Sequence, residues 1–181
     1  MNTRTRVLTG AAVAAVLGAG AFGAVNASAA PAIAPAAAVA QDAGRGNVTT
    51  TDHLTIASAT KAAQAALDAA RKENQKVTVA VVDRNGNTVV QLRGDGAGPQ
   101  SWESAQRKAF TAVSWNAPTS VLAGRLAQTP NLKDIPGTLF LGGGAPVQYK
   151  GAPIAGIGVA GAPSGDLDEK FAQAGVASLG R

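Results

Sequence analysis

Val77-Thr78-Val79-Ala80-Val81-Val82, then Asp83-Arg84-Asn85-Gly86-Asn87, then Thr88-Val89-Val90-Gln91-Leu92-Arg93: the reading of this stretch decides the fold. The first run is apolar and β-branched on both of its faces, as a strand covered on both sides must be. Asn-Gly in the middle segment accepts the positive φ that tight hairpin turns demand. The third run alternates as a returning strand. Residues 77–93 therefore predict an antiparallel hairpin lying inside a sheet with layers above and below it.

Helical spacing appears on both sides of the hairpin. Upstream, Ile56, Ala59, Ala63, Ala66, Leu67 and Ala70 recur at intervals that predict a helix over 55–73, its stripe thin enough to lie close to a sheet. Downstream, after a glycine-rich loop at 94–99, a second helix is expected over 101–114. Trp102, Ala105, Ala109, Ala112 and Val113 share one of its faces, and Ser104, Arg107, Lys108 and Thr111 roughly the opposite one. Asn116 suits the cap of a further short helix through Leu126, with Pro118 in its first turn. Strand candidates follow at 138–141, 146–149 and 154–160. Ser164-Gly165-Asp166 opens a last helix, where Asp166, Asp168 and Glu169 suit the positive end of the dipole. The order α, β, β, α, α, β, β, β, α implies an α+β fold: an antiparallel sheet of about five strands with helices on both faces.

The chain before residue 51 is of another kind. Met1–Arg6 carries two arginines and no acid, residues 7–25 carry no charge, and Ala27-Ser28-Ala29 offers the small residues of a cleavage site. This is the pattern of a secretory signal peptide over residues 1–29. The competing reading is an uncleaved anchor, against which stand the many Gly and Ala and the cleavage site. Arg4-Thr5-Arg6 lacks the adjacent arginines of a twin-arginine signal. Residues 30–50, with Pro31 and Pro35, read as an Ala/Pro-rich flexible segment. The folded domain is assigned to 51–181, and the protein is expected to be secreted and to work outside the cell.

Composition narrows the chemistry. Among 181 residues there is no cysteine, which excludes a disulfide scaffold, a thiolate nucleophile and thiolate-bound metal or haem. The net charge is +5; without Arg4 and Arg6 it is 14 cations against 11 acids, or +3, with no basic run. Nucleic acid is therefore not an expected partner. Gly156-Ile157-Gly158-Val159-Ala160-Gly161 fits the dinucleotide fingerprint in letters only, since neither a following βαβ unit nor a suitably spaced acid is present. Those glycines fit a strand crossing close to a helix. Gly142-Gly143-Gly144 lacks the ending of a phosphate loop and reads as a turn or bulge.

His53 is the sole histidine and Tyr149 the sole tyrosine. His53 is either a surface side chain or an axial metal ligand, and Tyr149 either a turn-packing residue or a ligand to ferric haem iron. Arg107, Lys108 and Arg125 are either a solvated face, with Glu103 and Arg107 one turn apart, or cations for carboxylates in a crevice.

Four stretches together carry a resemblance: Val79-Ala80-Val81-Val82-Asp83-Arg84-Asn85-Gly86-Asn87, Arg107-Lys108-Ala109-Phe110-Thr111-Ala112, Leu141-Gly142-Gly143-Gly144-Ala145-Pro146-Val147 and Pro153-Ile154-Ala155-Gly156-Ile157-Gly158-Val159-Ala160-Gly161. Over about residues 52–180 the chain resembles the GlcG/HbpS family, and with its leader it is most similar to the family's secreted haem-binding branch. The resemblance implies a profilin-like fold, a homo-oligomer (an octamer), and haem as cofactor, with free iron also associated with the family. It further implies contact with the extracellular domain of a membrane sensor histidine kinase, in two-component signalling under haem or oxidative stress. Carried over by motif, Thr111, Arg107 and Lys108 fall in the haem region, Thr111 as a pocket residue because a hydroxyl is a poor iron ligand; His53 lies at the domain's leading edge. The alternatives are a haem-degrading or peroxide-reactive enzyme and a binder of another ligand such as a corrinoid. Beyond the leader the only aromatics are Trp102, Phe110, Trp115, Phe140, Tyr149 and Phe171, too few for a deep haem pocket. A shallow site completed by a neighbouring subunit, with moderate affinity, is expected.

Overall fold

The computed structural model describes residues 40–180. The leader at 1–29 and residues 30–39 of the Ala/Pro-rich segment fall outside the described residues. The compact unit begins at Arg45. Its elements are α1 (Ile56–Lys72), β1 (Thr78–Asp83), β2 (Thr88–Arg93), α2 (Gln100–Trp115), α3 (Thr119–Gly124), β3 (Gly144–Tyr149), β4 (Ala152–Ala160) and α4 (Gly165–Ala177). The strands form one antiparallel sheet in the order β2-β1-β4-β3. Among the described helices none is long and apolar enough to cross a membrane.

Alternation along the two central strands divides the core. Val77, Val79 and Val81 join Ile157 and Val159 against α1 and α4. Ala80 and Val82 join Ala160 against Ala105, Ala109 and Val113 of α2. Helices thus cover both faces of the sheet, the profilin-like α+β arrangement implied by the resemblance. On the α2 face β4 shows Gly156 and Gly158. A Cβ at either would overlap the α2 backbone, at the carbonyls of Ala109 and Ala105 respectively. Helix and strand meet backbone to backbone, which only glycine permits.

The sheet has four strands, so the strand candidate at 138–141 is a correction. There the chain's polar groups are taken by α2: Arg107 Nη2 donates to the Thr138 carbonyl at 2.7 Å, and Leu139 N donates to Thr111 Oγ1 at 2.8 Å. Phe140 is buried edge-on to Trp115, with centroids 5.2 Å apart. The segment is fastened to a helix and pairs with no strand. Asn116 also differs from expectation. It is the left-handed C-cap of α2 (φ 50°), a conformation Asn tolerates, and Pro118 caps α3.

The faces of α2 require a further correction. Trp102 is exposed, whereas Lys108 and Thr111, expected opposite the alanines, are buried with them. The 137–144 segment and α4 close over that flank of the helix.

Candidate functional site

The larger cavity, about 540 Å³, lies on the α2 side of the sheet. Glu103, Gln106, Arg107 and Phe110 reach it from successive turns of α2. Gly86 brings the tip of the β1–β2 hairpin to it, and Gly137 the loop before β3. Arg107 is anchored on one side by the Thr138 carbonyl and stands 3.6 Å from Glu103 on the other.

A second cavity, about 280 Å³, is lined by Asp52, His53, Leu54, Thr55, Ser58, Tyr149 and Ile154. The fold brings the sole histidine and the sole tyrosine together there, the first from the segment entering α1 and the second from the end of β3. His53 Nε2 shares a hydrogen bond with Thr51 Oγ1 at 2.8 Å. Lys150 Nζ sits 4.9 Å from the centre of the Tyr149 ring. Leu54 and the buried Ile154 supply apolar wall.

The five residues singled out from sequence are thus separated. His53 and Tyr149 share one cavity, Arg107 faces the other, and Lys108 and Thr111 face neither. Thr111 is fully buried; its hydroxyl donates to the Arg107 carbonyl and accepts from Leu139 N. Lys108 Nζ is 2.7 Å from Asp168 Oδ2 and donates to the Val159 carbonyl. Arg125 is exposed in a 3₁₀ turn.

Asp168 and Glu169, expected to serve the helix dipole, are buried clasps. Burial pushes the Asp168 carboxyl above its ordinary 3.8, against the opposing pull of Lys108 and of the Ala162 and Gly161 N–H groups. Glu169 accepts from the Ser120 hydroxyl (2.6 Å), the Ser120 N–H (2.9 Å) and the Gly143 N–H (3.3 Å). With Gly144 N donating to Thr119 Oγ1, two amides of the triple glycine are committed to protein side chains. The sequence carries no local mark of these clasps, since each joins residues dozens of positions apart.

At the hairpin tip, Asp83 is partly desolvated, which by itself would raise its carboxyl. The Asn87 and Asn85 N–H groups and the Asn87 amide outweigh this and hold it below 3.8. Among the described residues no group of three or more His, Asp or Glu side chains is placed to hold a metal ion.

Fold and cavities define a small α+β domain with open, mixed apolar and polar recesses, among them the two just described. Residues 54–177 match the HbpS-like family, described as haem degrading protein HbpS-like, and the chain belongs to that family. A double mutant of Streptomyces reticuli HbpS is 71% identical, covering 81% of this chain and 100% of that one, with a TM-score of 0.78. The PduOC:haem complex is 26% identical over 70% of this chain and 95% of that one, with a TM-score of 0.65. A 15.0 kDa Citrobacter freundii protein from the dhaT-dhaS intergenic region is 33% identical over 113 residues, 60% of this chain and 80% of its own.

Proposed function

We propose that the protein is a secreted haem-binding accessory protein that receives haem at the His53–Tyr149 cavity. The observation that carries this is the meeting of the sole histidine and the sole tyrosine at one recess. Imidazole and phenol are the two side chains of this cysteine-free domain that ligate haem iron well. Leu54 and Ile154 give a porphyrin apolar contact, and Lys150 is a nearby cation for a propionate. The Thr51 hydroxyl is the partner that a ligand at His53 Nε2 would displace. At about 280 Å³ the recess is smaller than the roughly 300–1,000 Å³ pockets that enclose whole ligands, so one copy covers part of a haem and a second copy covers the rest. Bound haem would supply a redox-active iron porphyrin. Free iron, which the family resemblance also implies, stays in this reading as a second ligand beside haem.

In the same reading the protein is exported, assembles as a homo-oligomer (an octamer), and acts by contact with the extracellular domain of a sensor histidine kinase. The leader pattern at 1–29 and the family resemblance support it. The haem complex of a 26% identical relative supports the ligand. A second reading, haem degradation, is favoured by the family's description.

The test is a hemin titration of residues 30–181, read at the Soret band. Saturable binding is expected, weakened about tenfold or more by His53→Ala or Tyr149→Phe and unchanged by Arg107→Gln. A folded protein that leaves the Soret band unmoved sinks the haem reading. Added reductant then separates the two activities, because a binder keeps its porphyrin absorbance and a degrading enzyme loses it.

A further inference from the structure

The larger cavity takes no part in the haem proposal, and it is the better preorganised of the two. Phe110 is partly buried at its wall, with a glycine along each edge of its ring. A Cβ at Gly86 would lie 2.9 Å from one ring carbon, and a Cβ at Gly137 3.6 Å from another. Both glycines have positive φ, 89° and 79°, which disfavours a side chain at either, and at Gly86 the ring itself leaves no room for one. The ring is left reachable because its neighbours carry no side chains.

Arg107 is the cation of this recess, and it is held without being used up. Thr138 anchors one nitrogen, while Glu103, with its side chain 76% exposed, is a loose partner at 3.6 Å. The buried Thr111 hydroxyl fixes Leu139, so the Gly137 wall is tied to the same helix that carries Phe110 and Arg107. Among the described residues no imidazole or phenol lines the recess. A flat apolar ring beside an anchored guanidinium suits a planar ring bearing a carboxylate.

We infer that this cavity is a second ligand site, for a small aromatic carboxylate, with Phe110 carrying the ring and Arg107 the carboxylate. It stands independently of haem at the other recess. The probe is 2-naphthoate, titrated calorimetrically into the full mature protein, with 2-naphthalenemethanol as its neutral counterpart. The carboxylate is expected to bind at least about tenfold more tightly than the alcohol. Glu103→Gln, which removes the competing anion from a solvent-exposed position, is expected to tighten naphthoate a few-fold and leave the alcohol unchanged. Arg107→Gln is expected to abolish the preference for the carboxylate. Should that variant fail to fold, the wild-type comparison and Glu103→Gln still decide. Hemin-loaded protein is expected to bind naphthoate as the free protein does. Absence of binding, equal binding of acid and alcohol, weakening by Glu103→Gln, or displacement of naphthoate by hemin would each overturn the inference.

Discussion

Arg107 and Lys108 are consecutive cations on one helix, and each faces a carboxylate, yet they live in different solvents. The side chains of the Arg107–Glu103 pair are 39% and 76% exposed; those of Lys108–Asp168 are 6% and 4% exposed. A step of one residue turns a side chain by about 100° around a helix, here enough to carry it from an open cavity into the core. The exposed pair is made within α2, one turn apart. The buried one joins α2 to α4. Charge alone does not say what a lysine or arginine does; the element that closes over it does.

Breaking the buried pair should have the largest effect. Asp168→Ala leaves an ammonium in the core without its counter-ion and is expected to cost about 3–5 kcal/mol in urea unfolding. The double replacement Lys108→Met with Asp168→Ala should recover a good part of that loss. The carboxyl's folded pKa is raised, so the folded state holds its proton to higher pH than the unfolded one. Wild-type stability should then fall as pH climbs through the window above 3.8, a slope missing from Asp168→Ala. A single variant as stable as wild type would mean that the pair is not closed off from water.

Thr111→Val comes next. It strips the Leu139 N–H of its acceptor and should cost about 1–3 kcal/mol, with Thr111→Ser restoring most of it. Equal losses in both variants would assign the effect to methyl packing and away from the hydroxyl. Glu103→Gln should be the mildest, within about 0.5 kcal/mol of wild type. A larger change would show the exposed pair to be stronger than its 3.6 Å separation indicates.

The same contrast explains which features could be read from the chain. The β1–β2 hairpin and α1 are local objects, fixed by Asn85-Gly86 and by an alanine stripe, and they appear where periodicity puts them. The 138–141 segment has the composition of a strand, but its hydrogen bonds go to Arg107 and Thr111, some thirty residues earlier. Lys108 meets Asp168 across sixty residues of sequence, and helix periodicity carries no information about that. Likewise His53 and Tyr149 were visible separately as singletons. Their shared cavity depends on where the end of β3 lies against the approach to α1, a tertiary fact.

The contact of Gly156 and Gly158 with the backbone of α2 has a consequence for the clock of the molecule. With no side chains between them, helix and central strand cannot separate by a rotamer change; they part only when the core itself opens. Amide hydrogens in that layer should exchange with solvent on the timescale of global unfolding. The 137–141 segment is held to α2 by the Arg107 and Thr111 hydrogen bonds and by the burial of Thr138 and Phe140, so it belongs to the same slow layer. One wall of the larger cavity is then mounted on the slowest part of the protein.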